Sequence, residues 1–246
     1  MFEKIQVDFT SQALPAPYAQ QCSIVIELKE AHLQVKASLV YIDRENLTLE
    51  EIWEEGFSGE DDFHWEGNFT TPWVTYLLGA IQEGEEGAAA QPGETIVVNI
   101  QSDLGSTTIK NKKRWIYIMQ EMLQSIYEAD GLEAPLQLRY KRNDEEIETF
   151  EVSLMYFFKD LKVAITSTQG KKQKNISGDW MLCSQLLREI YIPDYLTEKA
   201  EELAEAPGTY IDPGGGLWYN AKQAIKLGKK SYGLDKIKTL LDEITR

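Results

Sequence analysis

Residues 22–43, CSIVIELKEAHLQVKASLVYID, decide the fold class of this chain. Apolar and polar side chains alternate on both sides of Glu30-Ala31, and a period of two predicts the two strands of a hairpin. A second hairpin is predicted from residues 135–143 and 146–158, around Asp144-Glu145. Further strands are predicted at residues 2–9, 94–102 and 161–168.

Helical patterns follow these hairpins. Residues 112–131 place Ile116, Met119, Leu123 and Ile126 on one face. Thr48, with Glu51 three residues later, predicts a capping box at the start of a short helix. Other helices are predicted at residues 72–82, 179–191, 194–206, 217–228 and 234–244. Because helices do not alternate strictly with strands, the pattern predicts an α+β fold with a mostly antiparallel, hairpin-built sheet and several amphipathic helices.

The chain of 246 residues is predicted to be a single α+β domain, residues 1–246, with a division into 1–131 and 132–246 as the alternative. Two internal similarities favour the alternative. KASLVYI (36–42) resembles EVSLMYF (151–157), and KNKKRWIYIMQEMLQSIY (110–127) resembles KNISGDWMLCSQLLREIY (174–191). The distance along the chain between the similar stretches differs between the two pairs, so they do not define one duplication. Two related hairpin-plus-helix units are one explanation, and a chance likeness between elements of the same type is the other.

The net charge is −15, which argues against nucleic acid as a partner because a phosphate backbone would be repelled. The charge is also segregated: residues 43–66 carry ten acidic residues and one Arg, whereas residues 222–238 carry six Lys and one Asp. Solvated surfaces explain such runs, and so does docking between patches of opposite charge. A protein partner or a homo-oligomer is therefore expected.

Cysteine content and hydropathy bear on location. Cys22 and Cys183 are the only cysteines and are far apart, so free thiols in a reducing cytoplasm are expected. The first residues do not resemble a signal peptide, and no window approaches eighteen apolar residues, so no membrane partner is expected.

The glycine-rich stretch IDPGGGLWYN, residues 211–220, raises the question of a phosphate site. It lacks the Gly-Lys-Ser/Thr ending of a P-loop, and Tyr219 stands where a dinucleotide fingerprint needs its third glycine. A flexible entry into the helix predicted at 217–228 is the simpler interpretation. A ligand lid that carries Trp218 and Tyr219 remains the alternative.

Two basic loops, residues 107–115 and 166–178, are the better candidates for an anion. Each leads into a predicted helix, whose free N–H groups could bind an anion together with hydroxyls and lysines. Solvated lysines at exposed hairpin tips are the alternative. The candidate ligand-binding residues are Thr107, Thr108, Lys110, Asn111, Lys112, Lys113, Arg114, Lys171, Lys172 and Lys174.

A strand through residues 61–66 would place Asp62, His64 and Glu66 on one face, a donor set that a divalent metal could use. The chain has only two histidines, and amphipathic alternation already explains the pattern, so no metal and no cofactor are expected. The tryptophans near the start of elements are expected to be core anchors, with binding of a sugar or a protein surface as the alternative. They are Trp53, Trp65, Trp73, Trp115 and Trp180.

Three functional hypotheses follow. The leading one is a cytoplasmic binding protein without catalytic activity, because no intact catalytic motif is present. The second is an enzyme or sensor that binds a small, phosphate-bearing ligand at the basic loops. The third is an acidic decoy of a basic, nucleic-acid-binding surface.

Overall fold

A computed structural model describes residues 2–11, 14–30, 32–83, 94–110, 112–143, 148–226 and 233–246. The chain divides into two compact units, Met1–Asp130 (unit 1) and Gly131–Arg246 (unit 2). Among the described residues, no helix is both long and apolar enough to cross a membrane.

The described part of unit 1 is a six-stranded antiparallel sheet with three helices. The strands lie in the order β4-β3-β2-β1-β5-β6. In the first predicted hairpin Ile24 is paired with Ala37, in register along the whole length of both strands. The elements are β1 (Phe2–Ser11), β2 (Gln20–Lys29), β3 (His32–Tyr41), α1 (Leu49–Glu54), β4 (Phe63–Phe69), α2 (Thr71–Glu83), β5 (Glu94–Ser102), β6 (Gly105–Lys110) and α3 (Lys113–Asp130).

The core of unit 1 follows from the period-two pattern. Alternate side chains of the central strands, such as Ile24 and Ile26 in β2, are buried, while their neighbours are partly exposed. Helix α2 lies against β3, and α3 lies against β5. Ile116, Met119 and Ile126 of α3 are buried, as the helical spacing predicts, whereas Leu123 is half-buried. One face of the sheet thus supplies the apolar surface that the helices cover.

Unit 2 contains a second six-stranded antiparallel sheet, in the order β10-β9-β8-β7-β12-β13. The short strands β11 and β14 pair separately, and α4 packs against α5. The predicted second hairpin is the pair β7–β8, whose turn at Asp144-Glu145 lies outside the described residues. The elements are β7 (Leu136–Asn143), β8 (Phe150–Phe157), β9 (Lys162–Gln169), β10 (Lys172–Gly178), α4 (Trp180–Ile190), β11 (Asp194–Tyr195), β12 (Gly208–Asp212), β13 (Tyr219–Asn220), β14 (Ile225–Lys226) and α5 (Gly233–Ile244).

The two units share one topology. Each begins with a four-stranded meander, β1–β4 or β7–β10, followed by a helix, α2 or α4. The chain then returns to the first strand of the meander, so that β5 pairs with β1 and β12 pairs with β7. One more sheet strand, β6 or β13, and a final helix, α3 or α5, complete each unit. The predicted α+β class with an antiparallel, hairpin-built sheet is confirmed, and the two units contain similar sheets.

The internal similarities in sequence do not follow this correspondence. Residues 36–42 lie in β3, the third meander strand, whereas residues 151–157 lie in β8, the second. Likewise, residues 110–127 include most of α3, the last helix of unit 1. Residues 174–191 contain α4, the first α-helix of unit 2. The similar stretches therefore reflect shared strand and helix patterns, and the relation between the units lies in their topology.

Two predicted helices are wrong. Residues 194–206 contain β11, one short 3-10 turn at Thr197–Lys199 and a bridge from Glu201 to Trp218. The stretch predicted as a helix from 217 forms β13, a turn and β14 up to Lys226. The main-chain groups of Glu201 and Trp218 hydrogen-bond each other in both directions, at 2.9 and 2.8 Å. Such pairing between distant segments outweighs a local helix preference.

Both thiols are expected to be unreactive in the native protein. Cys22 and Cys183 are free and buried, and burial raises the pKa of each to about 12. A chromogenic disulfide reagent at pH 8 should therefore detect no fast thiol before denaturation and two after it. Because these pKa values lie above the unfolded value of about 8.5, the thiols' contribution to stability is complete below that pH. It is lost as the pH rises from about 9 towards 12.

Rapid reaction of either thiol in the native protein would contradict this assignment. Cys22→Ala and Cys183→Ala, measured separately, would identify the reactive position.

Candidate functional site

The two units differ sharply in charge. Unit 1 contains 22 acidic and 8 basic residues, a net charge of −14. Unit 2 contains 18 acidic and 17 basic residues, a net charge of −1. Nearly all of the chain's net negative charge therefore belongs to one of two units that have the same topology.

The connection between β3 and β4, residues 42–62, is the acidic segment of unit 1. It spans 21 residues, whereas the equivalent connection between β9 and β10 in unit 2 is the pair Gly170-Lys171. Long connections within a compact fold are uncommon and are frequently functional. The acidic segment is thus an elaboration that the shared topology does not require.

Arg44 fixes the acidic segment to the body of unit 1. Its Nη1 lies 2.7 Å from Asp61 Oδ2, and its Nε donates to the carbonyl oxygen of Pro17 at 3.0 Å. The guanidinium also lies over the rings of Tyr41 and Phe57, at 4.1 and 4.8 Å from their centroids. An arginine that is both paired and stacked holds one geometry better than a lone ion pair does.

Asp61 is held in its charged form. Desolvation tends to raise the pKa of this carboxyl, but hydrogen bonds from Arg44 and from Ser58 outweigh that effect and keep the pKa below its usual value. The main-chain N–H of Ser58 donates to both carboxylate oxygens of Asp61 at 2.9 Å. Because Arg44 lies near the start of the acidic segment and Asp61 near its end, their contact connects the two ends.

Helix α1 sits between these ends, and its predicted capping box is confirmed. Thr48 Oγ1 accepts from the Glu51 N–H at 3.3 Å, and Glu51 Oε2 accepts from the Thr48 N–H at 2.8 Å. Ile52 is buried and anchors the helix. Glu55, at its end, accepts a hydrogen bond from the Tyr18 hydroxyl. These contacts order a helix that is too short to be stable alone.

Trp53 and Leu49 project from this ordered helix into solvent. Their exposed fractions are 58% and 54%. The prediction that Trp53 is a core anchor is therefore wrong, although Trp73, Trp115 and Trp180 are buried as expected. Exposed carboxylates surround the two side chains in sequence: Asp43, Glu45, Glu50, Glu51, Glu54, Glu55 and Glu60.

The predicted metal-ligand set does not come together as a group. His64 and Glu66 share the exposed face of β4, as the alternation predicts. Asp62 instead accepts from the main-chain N–H of Tyr41 at 3.0 Å, and Glu66 pairs with Lys36 at 3.2 Å. Within the described ranges no group of three or more His, Cys, Asp or Glu side chains is arranged to hold a metal ion.

The first basic segment, residues 107–115, is an edge strand followed by a helix and not a loop. Thr107, Thr108 and Lys110 lie on β6 and are exposed, Asn111 lies outside the described residues, and Lys112 directly precedes the α3 residue Lys113. Lys113 Nζ lies 5.3 Å from the centroid of the Tyr117 ring.

Arg114 contacts side chains within unit 1. Its Nη1 donates to the hydroxyl of Tyr76 at 3.2 Å, and its Nε lies 3.6 Å from a Glu83 carboxylate oxygen. The Tyr76 hydroxyl donates in turn to Glu121 at 2.5 Å. Because Tyr76 and Glu83 belong to α2, Arg114 connects α3 to α2.

The second basic segment, residues 166–178, is likewise mostly strand. Lys171 lies in the β9–β10 turn and Lys172 begins β10. Lys174 Nζ donates to the main-chain oxygens of Thr245 and Arg246, at 3.3 and 2.7 Å. This segment belongs to unit 2 and the first belongs to unit 1, so a single anion site shared by both stays a prediction.

The glycine-rich stretch forms an ordered loop around a carboxylate of its own chain. Asp212 is only 1% exposed, and its Oδ1 accepts from the N–H groups of Gly214 and Gly216, both at 3.0 Å. Its Oδ2 lies 2.6 Å from Nη2 of Arg139, whose guanidinium stacks on Trp218 at 4.6 Å. The N–H groups of Gly214 and Gly216 are therefore occupied by a carboxylate of the chain itself and are not available to a phosphate.

Comparisons with protein-family models, with curated proteins and with solved structures found no match to this chain. Trp53, on the ordered acidic segment, is the most exposed tryptophan of the chain.

Replacement of Asp212 should destabilise the protein. Asp212→Ala leaves Arg139 and two glycine N–H groups without their shared acceptor, which should lower the free energy of unfolding by about 2–4 kcal/mol. Urea unfolding followed by circular dichroism measures the change. Asp194→Ala, at an exposed position of the same unit, should change the value by less than about 0.5 kcal/mol. Equal effects of the two substitutions would contradict the role given to Asp212.

The electrostatic environment of Trp53 can be read from its fluorescence. Carboxylates concentrate cations and repel anions near the indole, so the ratio of caesium to iodide quenching in the wild-type protein should exceed the ratio measured for free N-acetyltryptophanamide, and the two ratios should show a clear difference. Trp53→Phe should remove most of this difference, because four of the other tryptophans are buried. A ratio of caesium to iodide quenching equal to or below that of free N-acetyltryptophanamide would show that the surroundings of Trp53 are not acidic.

Proposed function

We propose that this chain is a cytoplasmic binding protein without catalytic activity, which docks a basic protein partner through the acidic segment of unit 1. The observation that carries the proposal is the exposed pair Trp53 and Leu49 on a capped, anchored helix. The proposed contact surface consists of this pair and the carboxylates around it.

The exposure of Trp53 supports a docking role on energetic grounds. A large indole left in water gives up the stabilisation that burial would provide, and tryptophan is enriched among the side chains that dominate binding energy. Leu49 lies close by in the same helix, so the two form one apolar centre. A centre of this kind with a charged rim is the usual arrangement of a protein interface.

The order of the acidic segment supports the same role. Binding through a flexible loop costs conformational entropy. A segment that is already held by Arg44, Asp61 and the capping box loses little conformational entropy when it binds. The stabilising contacts lie beneath and beside the helix, while Trp53 and Leu49 remain available on it.

The charge of unit 1 defines the class of partner. A net charge of −14 steers a basic surface towards this unit and repels acidic ones. The partner should present lysines or arginines around an apolar pocket that accepts the indole. A nucleic-acid-binding protein would satisfy this description. Nucleic acid would then compete with unit 1 for the basic surface of that partner.

Affinity capture with matched variants tests the proposal. The immobilised wild-type protein should retain a basic protein from an extract of its source cells, and this protein should be lost with Trp53→Ala. Glu50→Lys with Glu54→Lys should also abolish retention, and retention by the wild type should weaken as salt is raised.

Two controls separate docking from general adhesion. Leu104→Ala removes another apolar side chain of unit 1, 94% exposed, and should have no effect. Glu202→Lys with Glu205→Lys makes the same change in charge at exposed positions of unit 2 and should also have none. Retention that is unchanged in Trp53→Ala, or equally reduced in the controls, would contradict the proposal.

A further inference from the structure

Unit 2 contains a cleft of about 620 Å³ that none of the sites described above uses. It opens where the ends of β7 and β12 approach the first turn of α5 and the turn after β13. Its volume lies within the usual range for small-molecule sites. The lining residues are Tyr140, Arg142, Asn143, Pro207, Gly208, Thr209, Ile211, Ala221, Lys222, Leu234, Asp235, Ile237 and Lys238.

The charged side chains of the cleft are predominantly cationic. Arg142, Lys222 and Lys238 face one carboxylate, that of Asp235. None of the three cations forms an ion pair with any residue in the described part of the chain. In a protein with a net charge of −15, three cations beside a single lining carboxylate are a local reversal of charge.

The deeper part of the cleft is apolar. Tyr140, Ile211 and Ile237 are almost fully buried, yet each contributes to the lining. An apolar floor with few polar groups at its edge is the usual composition of a ligand site.

We propose that this cleft binds a small organic anion with an apolar body. The body packs against Tyr140, Ile211 and Ile237, and the anionic group, a phosphate, sulfonate or carboxylate, is bound by Arg142, Lys222 and Lys238. A plain inorganic anion would leave the apolar floor unused, and a neutral apolar molecule would leave the cations unpaired. The proposal is independent of docking by the acidic segment, because it uses unit 2 alone.

The charge of unit 2 makes such binding feasible. Its net charge is −1, so an approaching anion meets little repulsion from this unit. At moderate salt, charges more than about 10 Å apart are largely screened, and the three cations of the cleft then determine the local potential.

Fluorescent probes of matched shape test the proposal. The anionic probe 8-anilinonaphthalene-1-sulfonate should bind with enhanced fluorescence, and Lys222→Glu with Lys238→Glu should weaken this binding by about tenfold or more. The neutral probe N-phenyl-1-naphthylamine should bind the wild type and this variant equally. Ala221→Trp, which fills the cleft, should abolish binding of both probes.

The control variant is Lys162→Glu with Lys226→Glu, two exposed lysines of unit 2 outside the cleft. It makes the same change in net charge and should alter binding of the anionic probe less than about twofold at moderate salt. Thermal unfolding verifies that each variant is folded. Equal weakening by both double variants, or binding that Ala221→Trp does not reduce, would overturn the proposal.

Discussion

The return of the chain to its first strand is the constraint on which each unit depends. A meander leaves one edge of its first strand without hydrogen-bond partners, and β5 fills that edge in unit 1 as β12 does in unit 2. The first strand thereby becomes central and can be buried on its apolar face. The helix before the return strand and the helix after it then supply the apolar surface that this face requires.

Because the sheet order and the two helices that flank the return strand correspond in both units, the differences between the units lie in the connections. Unit 1 extends the connection between its third and fourth strands into the acidic segment. Unit 2 keeps that turn at two residues and instead extends the connection between β12 and β13, which becomes the glycine loop around Asp212. Connections tolerate such change because they lie outside the hydrogen-bonded ladder. One scaffold thus presents two chemically different surfaces.

Local patterns in the sequence predict local structure well in this chain. The hairpin at 22–43, the capping box at Thr48 and the apolar face of α3 all depend on residues a few positions apart. The features that were missed depend on distant partners. The pair of Arg139 with Asp212 joins residues 73 positions apart, and the five-residue strand β12 is recognisable only from its pairing with β7. The exposure of Trp53 was missed because local spacing does not reveal what covers a side chain.

Two open sheets also have four outer strands, β4, β6, β10 and β13, each with one row of main-chain groups that the sheet does not pair. Such rows invite another chain to add a strand, and natural proteins discourage this by placing lysine on outer strands. Lys110 on β6 and Lys172 and Lys174 on β10 occupy such positions. These three lysines, which are among the candidate anion-binding residues, are thus also well placed to keep the molecule from aggregating through its sheet edges.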